Sequence, residues 1–593
     1  MKKWMLLFSM FFILMLTSVY AQISNYILAT KGDTLVVKDE FDYGAPGALQ
    51  LLMAADTAST VPAGRVYQLH KYGYYSVIGR PNSSAKVRAV VAGESNKLIK
   101  NNLSTETIPI LTGAVYEGGP SKGGINSGKD LLVKNISCNS GSSISTQGDW
   151  TFFGINPVGG KLTVENCLIE HNIWVEIQPN NMSRIFWIND YFVNLSGHTC
   201  RRNGGVVDHN GGSTTMDTLW VENCTHVMTQ GSLYKYRDGK LILKSVYNHN
   251  TFINNAGYPI MNRGCATNVS ITNNIFVNCA VQAFAPILKH ADQGEIDPDN
   301  LPMGLVNVTP DSAAFKAVGG GHVYVDKNLV YWDPKLAAAI PSALNTAHVN
   351  GATNWVSQMI TMNTRTKAAF DANATYPYLV EGTWLTQKPT FANTATLFTT
   401  QLDVIIAYVK VCSDTTYSAG LPYWREVNKG ASDFSYSDWP IPINLSYTDA
   451  TLLTAGLGGF PVGDLNWFPT QYAAWKAQKS TEYTKMQLVL DTGVLVGDVE
   501  KVDGLPVSYK LDQNYPNPFN PTTVINFTIP QAGNVTLKVY NTLGQEVATL
   551  VDGYKDASNY KVDFDASRLS SGVYFYTLKA NNYTQTKKMM LVK

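Results

Sequence analysis

The chain has 593 residues, of which 15% are charged, and its formal net charge is +1 at pH 7. It is long enough for several domains, and its near-neutral charge argues against nucleic acid as a partner. Asn, Gly, Ser and Thr take the place of charged residues, which favours repetitive β structure over helices.

The first predicted element is a signal peptide at residues 1–21. Lys2 and Lys3 precede an apolar run from Trp4 to Leu16, and Val19-Tyr20-Ala21 supplies a small-residue cleavage site. The run is too short for a membrane anchor, and no other stretch is apolar enough to span a bilayer. We therefore expect an exported mature chain without a transmembrane segment.

Residues 129–333 carry a repeat that predicts a parallel β-helix. Each copy contains a short alternating strand followed by Asn or Asp. The anchor residues of six copies are Asn135, Asn166, Asp190, Asn223, Asn250 and Asn273. They span 138 residues in five intervals, a mean of about 28, and a strand with an Asn corner in each copy is typical of a solenoid. An antiparallel sandwich is the alternative, but sandwiches do not keep such a period.

The repeats, and the phrase Asn-Asn-Ile-Phe-Val-Asn at 273–278, resemble the right-handed β-helix proteins of the pectate-lyase-like superfamily. The resemblance concerns architecture, and it implies an extracellular polysaccharide as the partner. Residues 22–128 are then expected to form the N-terminal cap and first turns. Residues 334–480 are expected to supply irregular turns, covering loops and the C-terminal closure of the solenoid.

Two outward columns of the predicted helix carry aromatic and acidic residues. Alternation from an inward Val164 along the repeats places Trp187 beside Trp220, and Glu165 in line with Glu222. Two tryptophans would form a platform for a sugar ring. The carboxylates, two turns apart, would stand about 10 Å from each other, near the upper end for an inverting glycosidase. Covering loops that pack on the tryptophans are the alternative.

A basic row is predicted about half a turn earlier. His209, Arg237 and Arg263 are spaced 28 and 26 residues apart, with Lys235 beside them. Such a row can grip the carboxylates or sulfates of an acidic polysaccharide. In a uronate lyase, cations neutralise the carboxylate while Lys, Arg or His removes the adjacent proton. Solvated charge bridged to neighbouring aspartates is the alternative.

No cofactor is expected. Acidic residues at 292–299 could hold calcium, but they lack the spacing of a calcium loop, and the nine histidines show no metal-ligand spacing. Seven cysteines leave at least one thiol unpaired in a monomer. Cys138, Cys167 and Cys224 stand near equivalent repeat positions, so we expect them in an interior column, with a disulfide between turns as the alternative.

The tail, residues 511–593, carries the most specific signal. It opens with Asn-Tyr-Pro-Asn-Pro-Phe-Asn-Pro at 514–521 and continues in short alternating strands. This tail closely resembles the type A C-terminal sorting domain of the bacterial type IX (Por) secretion system. The resemblance implies that the outer-membrane export machinery is a partner. The residues that carry the predicted sorting signal are Asn514, Pro516, Asn517, Pro518, Phe519, Asn520, Pro521, Gly544, Gly572, Lys587 and Lys588.

The strand and turn pattern of the tail predicts a small Ig-like β-sandwich, joined to the solenoid by a linker at 481–510. An adhesive or carbohydrate-binding sandwich is the alternative. The predicted fold class is therefore all-β, a right-handed parallel β-helix followed by this sandwich.

The predicted protein is monomeric, and it is secreted or lies at the cell surface of a Gram-negative bacterium. It binds an extracellular polysaccharide. The sequence leaves open whether it also acts as a polysaccharide lyase or hydrolase, or is instead a non-catalytic adhesin or a structural envelope protein. The catalytic candidates are Lys235, Arg237, Arg263, Glu165 and Glu222. The candidates for substrate binding are Trp187, Trp220 and His209.

Overall fold

A computed structural model of the chain describes residues 23–56, 61–62, 64–77, 82–83, 89–94, 108–113, 124–142, 151–170, 172, 175–195, 205–209, 215–236, 241–262, 267–281, 301, 303–310, 316, 321–339, 359–392, 397–413, 443–502, 509–531, 533–555 and 558–593. The predicted signal peptide, Arg237, Arg263 and the acidic loop at 292–299 lie outside the described residues.

The described part of the chain before residue 390 forms three sheets that stack turn upon turn. Apart from the antiparallel pair of β1 (Ile27–Lys31) and β2 (Thr34–Val37), neighbouring strands run parallel. Sheet A continues with β3 (Val66–Leu69), β6 (Ala89–Gly93), β9 (Leu131–Lys134), β12 (Lys161–Glu165), β15 (Arg184–Ile188), β18 (Thr215–Glu222), β21 (Leu241–Asn248), β24 (Asn268–Thr272), β26 (His322–Asp326) and β28 (Leu379–Glu381).

Sheets B and C receive the next strands of each turn. Sheet B contains β4 (Tyr74–Val77), β7 (Ile110–Gly113), β10 (Ser137–Ser142), β13 (Leu168–Glu170), β16 (Tyr191–Val193), β19 (Thr225–Thr229), β22 (Thr251–Asn255), β25 (Ile275–Val277), β27 (Asn328–Tyr331) and β29 (Trp384–Leu385). Sheet C contains β5 (Asn82–Ser83), β8 (Ile125–Ser127), β11 (Thr151–Ile155), β14 (Val175–Ile177), β17 (Gly205–His209), β20 (Tyr234–Tyr236) and β23 (Ile260–Asn262). The predicted parallel β-helix is confirmed.

The corner between sheets A and B explains the Asn repeat. On seven turns, the residue that follows the sheet A strand has a positive φ; these residues are Asn135, Asn166, Asn189, Asn223, His249, Asn273 and Lys327. Asn enters this conformation more readily than most side chains because its short amide bonds locally. The next residue starts a second column, in which the Asn274 amide donates to Asn328 Oδ1 at 2.9 Å and accepts from Asn250 at 3.0 Å. The predicted anchors therefore mix two adjacent columns.

Apolar and aromatic side chains fill the interior of the β-helix. A column on sheet B stacks Phe192, His226, Phe252 and Phe276, with ring centroids 4.5, 4.4 and 5.2 Å apart. The His226 ring lies 2.9 Å from the Tyr234 hydroxyl, which gives this buried imidazole a polar partner. The predicted cysteines are buried, as is Cys279, and none of these four described residues is in a disulfide. Cys167 and Cys224 share a corner position, whereas Cys138 belongs to the sheet B column.

Helices cover the ends and outer faces of the solenoid. At the start, α1 (Glu40–Tyr43) precedes α2 (Ala48–Ala55), which buries its apolar face in the core. Near the end, α3 (Pro334–Ala339) precedes α4 (Thr364–Asp371), and Phe370 of α4 packs in the core with the last turn. Sheet B is covered by α5 (Thr400–Ser413) and residues 443–468, which include short 3₁₀ turns.

Sheet A is covered by α6 (Pro469–Thr492), a helix of 24 residues. Its Met486, Val489 and Leu490 pack on Val246 and Tyr324 of the sheet. Residues 334–480 thus supply covering elements together with β28 and β29, which add the last turn.

The C-terminal sandwich has two antiparallel sheets of four strands. One contains β30 (Val496–Val502), β31 (Lys510–Leu511), β32 (Thr522–Ile529) and β35 (Ser558–Asp565). The other contains β33 (Gly533–Tyr540), β34 (Glu546–Lys555), β36 (Gly572–Ala580) and β37 (Tyr583–Leu591). The predicted all-β class is confirmed. The predicted linker at 481–510 is wrong in part, because α6 extends to Thr492 and β30 pairs within the sandwich.

Candidate functional site

The aromatic platform lies on the outer face of sheet A, but one of its members differs from the prediction. The register pairs Phe186 with Trp220, and it pairs Trp187 with Val164 and Val221. Trp187 is fully buried in the core, so the prediction that it faces outward is wrong. Phe186 is the half-buried aromatic that stands next to Trp220 on the outer face.

Alternation could not decide between these two rings because Ile185-Phe186-Trp187-Ile188 is apolar on both faces of the strand. A better signal was present at the corner. Trp187 stands two residues before Asn189, as Val164 stands two residues before Asn166. When the repeats are aligned on the residue with positive φ, instead of on Asp190, Trp187 is predicted to face inward.

The predicted carboxylate pair is separated by the covering helix. Glu165 and Glu222 share an outward column, but Ile188 lies between them where the prediction placed Asn189. Glu222, however, is only 2% exposed. Tyr483 of α6 donates its hydroxyl to Glu222 Oε2 at 2.5 Å, and Asn248 Nδ2 donates to Oε1 at 3.3 Å. Burial raises the pKa of Glu222 to about 6. A substrate cannot reach this enclosed group, which argues against the hydrolytic pair.

Two members of the predicted basic row lie within the described residues, and they do not form the row as expected. His209 is fully buried and pairs with Tyr236, one residue before Arg237. Lys235 is also fully buried, and its Nζ lies 3.3 Å from Asp208 Oδ2. A buried ammonium that is paired in this way neutralises its own carboxylate partner and is not offered to a ligand.

Basic side chains instead line the outer face of sheet A. Lys161, Arg184 and Lys244 occupy one column, with Thr218 between the last two. Lys161 Nζ lies 4.4 Å from the Phe186 ring centroid, and Lys244 Nζ lies 5.7 Å from that of Trp220. We call the set Phe186, Trp220, Lys161, Arg184 and Lys244 the aromatic–basic face.

A groove of about 480 Å³ continues this face beside Trp220. Its far wall is α6, where the Tyr483 ring stands edge-on to Trp220 with centroids 5.0 Å apart. Lys244 Nζ donates to Gln487 Oε1 at 3.0 Å, so the groove carries polar groups next to the indole. An aromatic surface beside convergent polar groups is suited to a hydroxylated ring.

One group of residues in the N-terminal cap could hold a metal ion. Asp39, Asp42 and His70 bring three potential ligand atoms within 4.8 Å of one another. Asp39 accepts the Asp42 N–H as a helix cap, and His70 Nε2 lies 3.2 Å from Asp42 Oδ2. These contacts account for the cluster without an ion, and the absence of a cofactor stays a prediction.

The predicted sorting residues form a buried anchor and an exposed loop. Asn514 Nδ2 donates to Thr523 Oγ1 at 2.9 Å, and the Phe519 ring is buried in the sandwich core. Pro516, Asn517 and Pro518 between them are exposed. The strand pattern and these anchors position a surface loop that a partner can reach.

Comparison with known families decides what this sandwich is. Residues 513–593 match the family model described as the secretion system C-terminal sorting domain. The tail is a type IX sorting domain. The protein is therefore exported by type IX secretion to the cell surface or the extracellular space. No curated protein and no solved structure matches the chain. Within the described residues, no helix has the length and apolar character needed to cross a membrane.

Proposed function

We propose that the exported protein binds an acidic extracellular polysaccharide on its aromatic–basic face and does not cleave it. The observation that supports this most is the pairing of Phe186 with Trp220 beside the basic column of Lys161, Arg184 and Lys244. Aromatic faces stack on the apolar sides of sugar rings, and the cations attract carboxylates or sulfates. Sheet spacing places Lys161 and Arg184, on adjacent turns, about 5 Å apart, and Arg184 and Lys244, two turns apart, about 10 Å apart, which suits a ligand with repeated charges.

The carboxylate at the edge of the face has a basic neighbour. Glu165 lies at this edge, and Lys134 stands directly beside Glu165 in the register, so this carboxylate has a neighbouring counter-charge. The outward column is half-buried at Phe186 and Trp220, whereas Val246 farther along is covered by α6. A polysaccharide therefore meets the aromatic–basic face beside α6, whose Tyr483 borders the face at Trp220.

Binding without cleavage is supported by the state of two of the five predicted catalytic groups. Glu222 is enclosed beneath α6, and Lys235 is held by Asp208. A general acid or base has to reach the proton that it transfers, directly or through one water. Neither group meets this requirement on the face that carries the aromatic residues.

The proposal is tested by affinity electrophoresis of the purified protein in gels that contain acidic or neutral polysaccharides. Phe186→Ala should weaken retention by an acidic polysaccharide about tenfold, since one stacking contact of about 1.4 kcal/mol is lost. Phe398→Ala is the matched control, because Phe398 is also a half-buried ring with a lysine Nζ, that of Lys388, 4.4 Å from its centroid, and it lies away from the face. Unchanged retention of the Phe186 variant would refute the site, and release of unsaturated uronates or reducing ends would show that the protein is an enzyme.

A further inference from the structure

The core of the sorting sandwich begins before the part of the chain that matches the family model. Val494 is 3% exposed and packs in the same apolar cluster as Leu511, Phe519 and Phe564. It lies 19 residues before Gln513, where the family match starts. Gly493, with a φ of +69°, ends α6 and is the only residue between the helix and this core.

Strand β30 completes one sheet of the sandwich. It pairs antiparallel with β35, and the register places Val499 opposite Val562 and Glu500 opposite Lys561. The order across this sheet is β30, β35, β32, β31, so β30 covers the outer edge of β35. Without β30, that edge would present unpaired N–H and C=O groups over the length of a strand.

The sandwich also contacts the last turn of the β-helix. Arg568 donates from Nη2 to the carbonyl oxygen of Leu379 at 2.7 Å and from Nη1 to that of Pro377. Leu379 opens β28, the final strand of sheet A. A side chain at Gly493 would meet the Pro377 oxygen at 2.1 Å, so the end of α6 approaches the same backbone closely.

We propose that the export signal of this chain is the whole unit from Val494 to Lys593, with β30 as its required first strand. The type IX machinery then receives an eight-stranded sandwich that starts directly after α6. In this account Val494 and β30 position the exposed sorting loop by completing the fold that carries it. Arg568 only docks the sandwich on the β-helix, and its contact is not part of the signal.

The test uses the full chain expressed in a bacterium with a type IX system, and it measures the exported and periplasmic fractions. Val494→Asp places a charge in the sandwich core, and Val499→Pro interrupts the pairing of β30. Each should lower the exported fraction at least about tenfold, a loss of the size expected when a required fold is broken. Arg568→Ala, the control for docking alone, should be exported within about twofold of the unchanged chain. Normal export of both the Val494 and the Val499 variants would overturn the proposal, as would an equal loss with Arg568→Ala.

A cross-link tests the strand pairing without breaking the fold. Glu500→Cys with Lys561→Cys places two thiols on directly opposed residues, a separation that a disulfide can bridge. Glu500→Cys with Asp563→Cys is the matched control, two residues out of register. After mild oxidation, the exported protein should show the mobility shift of a disulfide only for the first pair. Absence of that shift in exported protein would overturn the proposal, because the chain would then be exported without this pairing.

Discussion

At the scale of single residues, the orientation of the side chains on one strand decides which ring is available to a ligand. Ile185 and Trp187 fill the core, and Phe186 stands on the outer face next to Trp220. The sequence showed that this strand carries two large rings, and it predicted an aromatic platform on sheet A. It did not show which ring faces outward, since both faces of the strand are apolar. Asn189 determines which ring faces outward, because its left-handed conformation fixes the turn that follows the strand.

Alanine substitutions at the two rings should differ in their effects on stability and on binding. Trp187→Ala empties a fully buried site and should lower the free energy of unfolding by about 3–5 kcal/mol. Phe186→Ala removes a half-buried ring and should cost about 1 kcal/mol in stability, while it weakens binding to an acidic polysaccharide. Urea unfolding followed by circular dichroism, with affinity electrophoresis of the same samples, measures both. An equal loss of stability in the two variants would contradict the observed register.

At the scale of elements, α6 is the feature that sequence reasoning underestimated. Its apolar contacts with sheet A come from a few side chains near its end, among them Met486, Val489 and Leu490, whereas residues 476–485 before them are mostly polar. Such a helix has little amphipathic pattern of its own, and tertiary contacts stabilise it. The sequence repeat predicted the sheets because each turn of the stack places its residues in the same environment and so selects similar residues. The covering helix occurs once and therefore leaves no repeat in the sequence.

The contact between α6 and sheet A should depend on pH through Glu222. Burial raises the pKa of this carboxyl from its ordinary value near 4.5 to about 6, so the folded chain holds the proton more tightly than the unfolded chain. The stabilising contribution is complete below about pH 4.5 and is lost as the pH rises through about 6. Glu222→Gln removes this loss and keeps an oxygen for the Tyr483 hydroxyl. The variant should be more stable than the unchanged protein by about 2 kcal/mol at pH 7.5, and equally stable at pH 4.

Thermal unfolding at the two pH values, converted to free energies, checks this expectation. Glu165→Gln is the matched control, since Glu165 belongs to the same outward column and is half-buried. It should change stability by less than about 0.5 kcal/mol at either pH. A gain for Glu222→Gln that is the same at both pH values would contradict burial as the cause.

At the scale of the whole molecule, a repetitive solenoid is joined to a sorting sandwich by one long helix. The architecture could be predicted from the sequence because a period of about 28 residues repeats the same pattern along the chain. The export route could be predicted because its motif concentrates many characteristic residues in one short segment. The junction could not be predicted in this way. Residues 481–510 contain no repeat and no motif, yet the structure gives them a helix end and the strand β30.

We propose that charge on the outer face of sheet A holds an acidic polysaccharide. The most direct measurement is calorimetric titration of such a polysaccharide at low and high ionic strength. The unchanged protein should bind more weakly at high salt, because the distance over which exposed charges attract one another is about 10 Å at 0.1 M and shortens as the salt concentration rises. The triple variant Lys161→Ala, Arg184→Ala and Lys244→Ala should bind weakly at both salt concentrations.

A second triple variant, with Lys335, Lys367 and Lys388 changed to Ala, makes the same change in net charge. These lysines are 57%, 49% and 49% exposed and lie outside the aromatic–basic face. It should bind as the unchanged protein does, with the same loss of affinity at high salt. Equal affinity and equal salt dependence in both triple variants would contradict the account.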